Sequence, residues 1–358
     1  MIIIIVLIIL LCIILSLSIY LILTPNQYTQ AFTLSGGKKK DMLLLLITMK
    51  RPSKGKSYKE TEDEILWLDR EWNKNKTLRQ TFSKEIVPKL HPFKNMRSEI
   101  ESSLVGKVPI TNAFIKCAEF IHKFNIQYNS LYDIASAPGM FIIAAQYINK
   151  KPIEWHACSF FSKSYLGDTY GLYKKYPKNI TNLNLLDYES CDKIISTENK
   201  YDLVTGDVGY IHGYGVLQET SHINLEYSQA RLAVNLVKEG GNIFLKMYSC
   251  ISNNNIWLLN QLYNYFDELY LWKPYSSRIT NDETYIVGIH RNSSKVELPS
   301  NPPTIEATPN NASLYYTFYY ELAHLKNELV RGNEKLITKW IKDMEPTIKY
   351  IQKLVSNL

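Results

Sequence analysis

No two of the five cysteines stand in a Cys-x-x-Cys pair; Cys12, Cys117, Cys158, Cys191 and Cys250 are scattered and odd in number. Neither a disulfide framework nor a thiolate zinc site is therefore suggested. The seven histidines show no ligand spacing either. There is no Gly-x-Gly-x-x-Gly, which excludes the phosphate loop of a dinucleotide-dependent oxidoreductase. No internal repeat is found. The first 23 residues carry no charged side chain at all.

That uncharged run, Met1 to Leu23, is almost wholly Ile, Leu and Val. A membrane-crossing helix needs roughly 20 apolar residues. A signal peptide would show a basic start, a shorter apolar core and a small-residue cleavage site. The run lacks these and is expected to be an uncleaved transmembrane anchor, a cleaved signal being the second reading. Basic residues follow it, at Lys38, Lys39, Lys40, Lys50, Arg51, Lys54 and Lys56. The positive-inside tendency then puts the bulk of the chain on the cytosolic side of a membrane. From Pro25 to Ile100 there are 16 Lys and Arg against 9 Asp and Glu, an excess of 7 that equals the net +7 of all 358 residues. Such a region suits a phosphate backbone or an anionic membrane surface, or is simply a solvated face. The 46% hydrophobic content is enough for a sizeable core.

Residues 24–95 form a basic, partly helical extension. Within it, Met42 to Met49 is too short to span a bilayer and is a strand or a membrane-surface contact. Thr61 to Glu85 is expected to be helical, with Pro88 and Pro92 breaking it. From about residue 96 the pattern becomes alternating strands and helices. A helix over Thr111 to Lys123 precedes a strand ending at Asp133. Further strands are expected at Ile153–Cys158, Asn182–Leu186, Tyr201–Asp207, Asn242–Met247, Leu269–Trp272 and Thr284–His290. Helices are expected at Ile223–Lys238, stopped by Gly240-Gly241, and at Ile256–Phe266. This alternation predicts an α/β domain over residues 96–296, with a mostly parallel seven-stranded sheet and helices on both faces. Residues 297–358 make a Pro- and Asn-rich linker and a helical extension, with helices over about Leu314–Arg331 and Glu334–Leu354.

Ligands on parallel sheets sit at the carboxyl ends of the strands. There the chain reads Leu131-Tyr132-Asp133-Ile134-Ala135-Ser136-Ala137-Pro138-Gly139-Met140-Phe141: strand, small-residue turn, helix start. Small residues let the backbone approach a ligand, and the helix start offers free N–H groups. Four charged residues stand at matching positions. Lys116 lies in the helix before this strand, Asp207 ends the Tyr201 strand, Lys246 ends the Asn242 strand, and Glu283 enters the last. Each alone also reads as a solvated strand end, turn or helix residue.

Together they resemble the FtsJ/RrmJ-like family of S-adenosylmethionine-dependent RNA ribose 2′-O-methyltransferases, which includes viral cap methyltransferases. The resemblance covers about residues 96–292. Asp133 to Phe141 is similar to the family's D-L-G-A-A-P-G-G-F cofactor motif. Lys273-Pro274, Ser276-Ser277-Arg278 and Glu283-x-Tyr285 resemble its K-P-x-x-S-R…E-x-Y segment. Lys116, Asp207, Lys246 and Glu283 match its K-D-K-E tetrad in order. The resemblance implies a Rossmann-like methyltransferase fold and S-adenosylmethionine as cofactor. It implies cofactor contacts from Asp133, Ala135, Ser136, Ala137, Pro138, Gly139, Phe141, Ser159, Asp187 and Asp207, with Asp187 toward the adenine amino group. The substrate it implies is RNA, whether cap or internal, with no metal. An anchor joined to this enzyme type, in a composition suggesting an A/T-rich genome, points to a large DNA virus.

The chain departs from the pattern at Ser159, where the family ends its second strand with an acid for the cofactor ribose. Met140 replaces a glycine and Ser136 an alanine. A lysine can take the hydroxyl's proton if burial and a second cation lower its own pKa, which is the role expected for Lys246 beside Lys116. Asp207 and Glu283 would orient the lysines. The segment after Asp207, rich in Gly and Tyr through His222, could stack on a base or be a plain surface loop. An amino-group DNA methyltransferase would show [D/N]-P-P-[Y/F] where this chain has Asp207-Val208-Gly209-Tyr210. The non-enzyme alternative is a membrane-anchored RNA-binding scaffold with a degenerate methyltransferase fold.

Overall fold

A computed structural model describes residues 44–46, 56–96, 98–162, 167–209 and 217–356. The Met1–Leu23 run lies outside them, as do Lys38–Lys40 and residues 210–216 of the Gly/Tyr-rich segment. Among the described residues no helix is long and apolar enough to cross a membrane.

The strands are β1 (Leu44–Leu46), β2 (Glu99–Ser102), β3 (Gly106–Pro109), β4 (Ser130–Ile134), β5 (Glu154–Ser159), β6 (Ile180–Asn182), β7 (Tyr201–Gly206), β8 (Val237–Tyr248), β9 (Phe266–Trp272) and β10 (Glu283–Arg291). The principal helices are α1 (Tyr58–Lys74), α2 (Asn112–Lys123), α3 (Met140–Asn149), α4 (Tyr188–Thr197), α5 (Gln218–Leu236), α6 (Asn253–Tyr263), α7 (Ala312–Val330) and α8 (Glu334–Ser356). One sheet runs in the order β1-β9-β10-β8-β7-β4-β5-β6, and β2–β3 form a separate hairpin. Strands β4 to β8 pair in parallel, whereas β10 is antiparallel to both β8 and β9. This is the Rossmann-like methyltransferase arrangement. The seven expected strands are all present, and Leu44–Leu46, within the ambiguous Met42–Met49 run, adds an eighth at the β9 edge.

Leu131–Ile134 of β4 and Leu203–Gly206 of β7 are buried at every position, so both faces of the central sheet are covered. Helix α5 packs against both α4 and α6, and α2, α3 and α8 pack together. An aromatic stack ties α2 to the sheet. The Phe120 ring lies 4.3 Å from Phe244 of β8, and Phe244 lies 4.3 Å from Tyr285 of β10, both near parallel. Lys116 is one helical turn before Phe120, so this stack sets its height above β10.

Three expectations shift. The third strand lies at Ile180–Asn182, upstream of the predicted Asn182–Leu186. Helix α5 begins at Gln218 and ends at Leu236; Gly240 and Gly241 are not its stop but sit inside β8, because Val237 already pairs with Tyr201. The predicted helix over Thr61–Glu85 is α1 followed by a short helix Lys76–Thr81 and a π-helical turn Phe82–Ile86. Pro88 does not break it. It sits in the first turn of a further helix, Val87–Leu90, where a missing N–H costs nothing.

Candidate active site

The carboxyl ends of β4, β5 and β7 and the start of α5 enclose a cleft of about 620 Å³. Ala135 and Ala137 line it beside β4, Ser159 and Phe160 beyond β5, Asn184 and Leu186 after β6, Asp207 to Gly209 after β7, and Ser221 and Asn224 on α5. The turn beneath it is built by hydrogen bonds. Asp133 is buried and accepts from Ser136 Oγ at 2.5 Å and from Thr205 Oγ1 at 2.7 Å. Burial pushes its carboxyl up to about 7 against those two donors. Gly139 caps the start of α3 at φ +92, a conformation that strains any side chain, and a Cβ there would have to displace the end of Leu172. Ala135 also takes a left-handed φ, +54, at a position where the D-L-G-A-A-P-G-G-F motif has glycine.

All four charged residues converge. Lys116 Nζ donates to Glu283 Oε1 at 2.8 Å and to Tyr285 OH at 2.9 Å. Lys246 Nζ donates to the Asp207 backbone oxygen at 2.9 Å and pairs with its Oδ1 at 3.0 Å. Tyr285 OH donates to that same Oδ1 at 3.1 Å, joining the two ion pairs. The junction follows from strand pairing, because Tyr285 of β10 lies directly across from Lys246 of β8. Burial alone would raise both carboxyls, but the lysines outweigh it. Lys116, Lys246 and Lys273 hold Glu283 at about 2, and Lys246 and Lys116 hold Asp207 below its ordinary value. Burial, with Asp207 and Glu283 beside it, pushes Tyr285 well above a free phenol, so it stays protonated.

The Lys273–Glu283 segment is clamped from several sides. Lys273 Nζ donates to the Glu283 backbone oxygen at 2.7 Å and to Asn281 Oδ1 at 2.6 Å. Ser277 Oγ donates to Glu283 Oε1 at 2.8 Å. Glu119, on α2 one turn from Lys116, accepts from Tyr275 N at 2.9 Å and Ser276 N at 3.0 Å. A second, polar cavity of about 220 Å³ is lined by Asn112, Lys116, Ser276, Ser277, Arg278, Asn281 and Glu283. The tetrad thus touches both cavities, through Asp207 in the first and Lys116 and Glu283 in the second.

Not every expected cofactor contact reaches the cleft. Ala135, Ala137, Ser159 and Asp207 line it. Asp133 and Ser136 are spent on the turn, Pro138 and Gly139 shape it, and Phe141 is a core residue stacked 5.6 Å from Phe244. Asp187 caps α4, accepting from Ser190 N at 3.1 Å and Ser190 Oγ at 2.7 Å; the cleft is lined by Leu183 to Leu186 just before it. Ser159 Oγ accepts from Ala137 N at 3.2 Å, which leaves its O–H to donate. Tyr285 and Phe160 were not expected as site residues. Tyr285 sits in the Glu283-x-Tyr285 pattern, so its signal was present; Phe160 had none.

Residues 110–291, half of the chain, match the family described as FtsJ-like methyltransferase. The chain belongs to that family. A probable methyltransferase of African swine fever virus is 31% identical over 234 residues, covering 58% of this chain and 55% of its own. The cap-specific mRNA (nucleoside-2′-O-)-methyltransferase of Autographa californica nuclear polyhedrosis virus is 26% identical, covering 48% of this chain and 69% of its own. The Drosophila melanogaster protein named cap-specific mRNA (nucleoside-2′-O-)-methyltransferase 2 is 25% identical, covering 53% and 31%. The chain thus spans about half the length of the African swine fever virus relatives it matches. The FtsJ-like segment includes the cleft, the turn and the complete tetrad, whereas α1, α7 and α8 lie outside it.

Proposed function

We propose that this FtsJ-like chain transfers a methyl group from S-adenosylmethionine to a ribose 2′-hydroxyl of RNA, the capped 5′ end of mRNA being the first substrate to test. One observation carries the reading: the Lys116–Glu283 and Lys246–Asp207 pairs, joined through Tyr285, run from the cleft, which Asp207 lines, to the smaller polar cavity, which Lys116 and Glu283 line. The relatives named as cap methyltransferases support the RNA class.

The cleft's chemistry fits the cofactor. Phe160, Leu183, Leu185 and Leu186 are apolar, as an adenine face requires, while Ser159, Asn184, Ser221 and Asn224 offer hydrogen bonds. The two alanines leave room for the ligand against the backbone. Bound there, S-adenosylmethionine supplies an activated methyl group on a cationic sulfur.

The chain's own residues do the rest. Lys246, tethered at two points by Asp207 and close to Gly209 of the cleft, accepts or steers the proton of the hydroxyl. Asp207 and Glu283 neutralise the two lysines and hold them apart. Lys116 and Arg278, in the smaller polar cavity, suit a phosphate of the RNA backbone. Gly209, which lines the larger cleft, keeps the space beside Lys246 open, since a Cβ there would meet Tyr248 OH at 3.0 Å and Lys246 Nζ at 3.1 Å.

The experiment is methyl transfer to capped and uncapped RNA with the modified nucleotide mapped. Lys246→Ala is expected to lose about 10²–10⁴-fold in kcat with cofactor binding retained. Undiminished turnover would sink the assignment. The anchoring of Met1–Leu23 is proposed from sequence alone, with the catalytic domain on the cytosolic side. Alkaline carbonate extraction of full-length and Met1–Leu23-deleted chains tests it. Release of both into the soluble fraction overturns it.

A further inference from the structure

Glu283 and Tyr285 of β10, which meet Lys116 and Asp207, alternate in sequence with Asp282, just before the strand, and Thr284 within it. Successive strand side chains point to opposite faces. The second pair is gripped by α7, which lies outside the family-matching segment. Lys326 of α7 is ion-paired with Asp282, and Tyr319 OH meets Thr284 Oγ1 at 2.7 Å. Lys326 is only 3% exposed, Tyr319 1% and Thr284 fully buried. Helix α7 is itself backed by α1. Thr61 Oγ1 donates to the Tyr316 backbone oxygen at 3.2 Å, and Ile65, Leu68 and Trp72 face the same small void as Asp282 and Lys326.

We infer that Tyr319 and Lys326 are positioning residues for the methyl-transfer site. They hold one face of β10 so that its other face brings Glu283 and Tyr285 onto Lys116 and Asp207. The tolerance is narrow, because Lys116 makes its contacts at 2.8 and 2.9 Å and a hydrogen bond is gone by about 3.6 Å. A displacement of about 1 Å in such a site can cost about 10²-fold in rate. The extension after residue 296 is then part of the catalytic unit. Lys326 and Tyr319 line neither the cleft nor the smaller polar cavity, so their effect is on chemistry and not on cofactor affinity.

This inference rests on the methyl-transfer reading, so the test includes a measurement independent of turnover. In the full chain, Lys326→Met and Tyr319→Phe are compared with the parent for kcat and KM on RNA, S-adenosylmethionine affinity by calorimetry, and amide exchange across β10. Lys326→Met is expected to lose at least about tenfold in kcat with cofactor affinity unchanged, and to exchange faster at Glu283–Tyr285. Tyr319→Phe removes one oxygen and little volume, loses kcat in the same direction, and decides the matter if Lys326→Met does not fold. Parental kcat in both variants overturns the inference, as does a loss of cofactor binding in step with kcat. If the parent itself transfers no methyl to RNA, the functional reading fails, and unchanged β10 exchange in the variants then overturns the positioning role separately.

Discussion

At the scale of single residues, Ala135 sets its side chain against its backbone. It follows β4 at φ +54, where a Cβ costs roughly 1–2 kcal/mol, at a position the family motif fills with glycine. Ala135→Gly removes that strain but loosens the unfolded chain by about 0.4–1 kcal/mol. The expected net is a gain of at most about 1.6 kcal/mol, a rise of at most about three degrees in Tm by calorimetry. A fall in Tm would refute the strain. Gly139 is the mirror case. At φ +92, and with Leu172 Cδ2 standing where a Cβ would have to go, Gly139→Ala is expected to destabilise the turn and weaken cofactor binding, read as a lower Tm and a weaker S-adenosylmethionine affinity by calorimetry.

At the scale of elements, one carboxyl links two parts of the tetrad. Glu119 of α2 accepts from Tyr275 N, Ser276 N and Ser276 Oγ, so the helix carrying Lys116 also fixes the segment that leads to Glu283. Glu119→Ala strands three buried donors, each costing about 1–3 kcal/mol. Urea unfolding should show a loss of at least about 3 kcal/mol; a loss below about 1 kcal/mol would mean water replaces the carboxyl without cost. Helix α2 was legible in advance because Thr111 is a capping residue, accepting from Phe114 N, ahead of an apolar-periodic run. The strands around Asp133 and Asp207 were legible because buried parallel strands are continuous apolar runs. Strand β6 was misplaced because it is three residues long and mostly exposed, with no pattern to read. Gly240-Gly241 read as a helix stop, but pairing of Val237 with Tyr201 ends the helix earlier, a tertiary contact that local sequence does not encode. The convergence of the four charged residues was legible from their order along the elements. The local hydrogen bonds of Asp133, Ser136 and Asp187 were not, because a motif does not show which nearby partner a short polar side chain at a turn or helix start finds.

At the scale of the whole molecule, three turns hang on buried carboxyls whose proton affinity folding has changed. Asp133 holds the cofactor turn, Glu119 the Tyr275–Ser276 turn, and Glu219 the Ile251–Ser252 turn after β8. Burial pushes Asp133 and Glu119 up to about 7 and Glu219 up to about 8. An acid raised in the fold binds its proton more tightly when native, so the stability it lends is complete below its unfolded value and is lost as pH rises through the folded one. For these three the loss begins near pH 4 to 4.5 and runs to about 7 or 8, at up to about 1.4 kcal/mol per pH unit each. Opposing contributions are fewer. His91, buried and facing Lys273 and Arg278, is lowered to about 4 and favours the fold as pH rises only through about 6.5. Lys273, lowered to about 7 by burial, does so only above that. Glu283, held at about 2, lends stability that is present above 4.5 and lost only as pH falls toward 2. Urea midpoints are therefore expected to fall between about pH 5 and 7, with Asp133→Asn flattening the slope. A midpoint that rises over that interval would mean the three carboxyls are ionised in the native state. In that case these three turns are held by charge-assisted bonds, and not by neutral acids that loosen as the pH climbs.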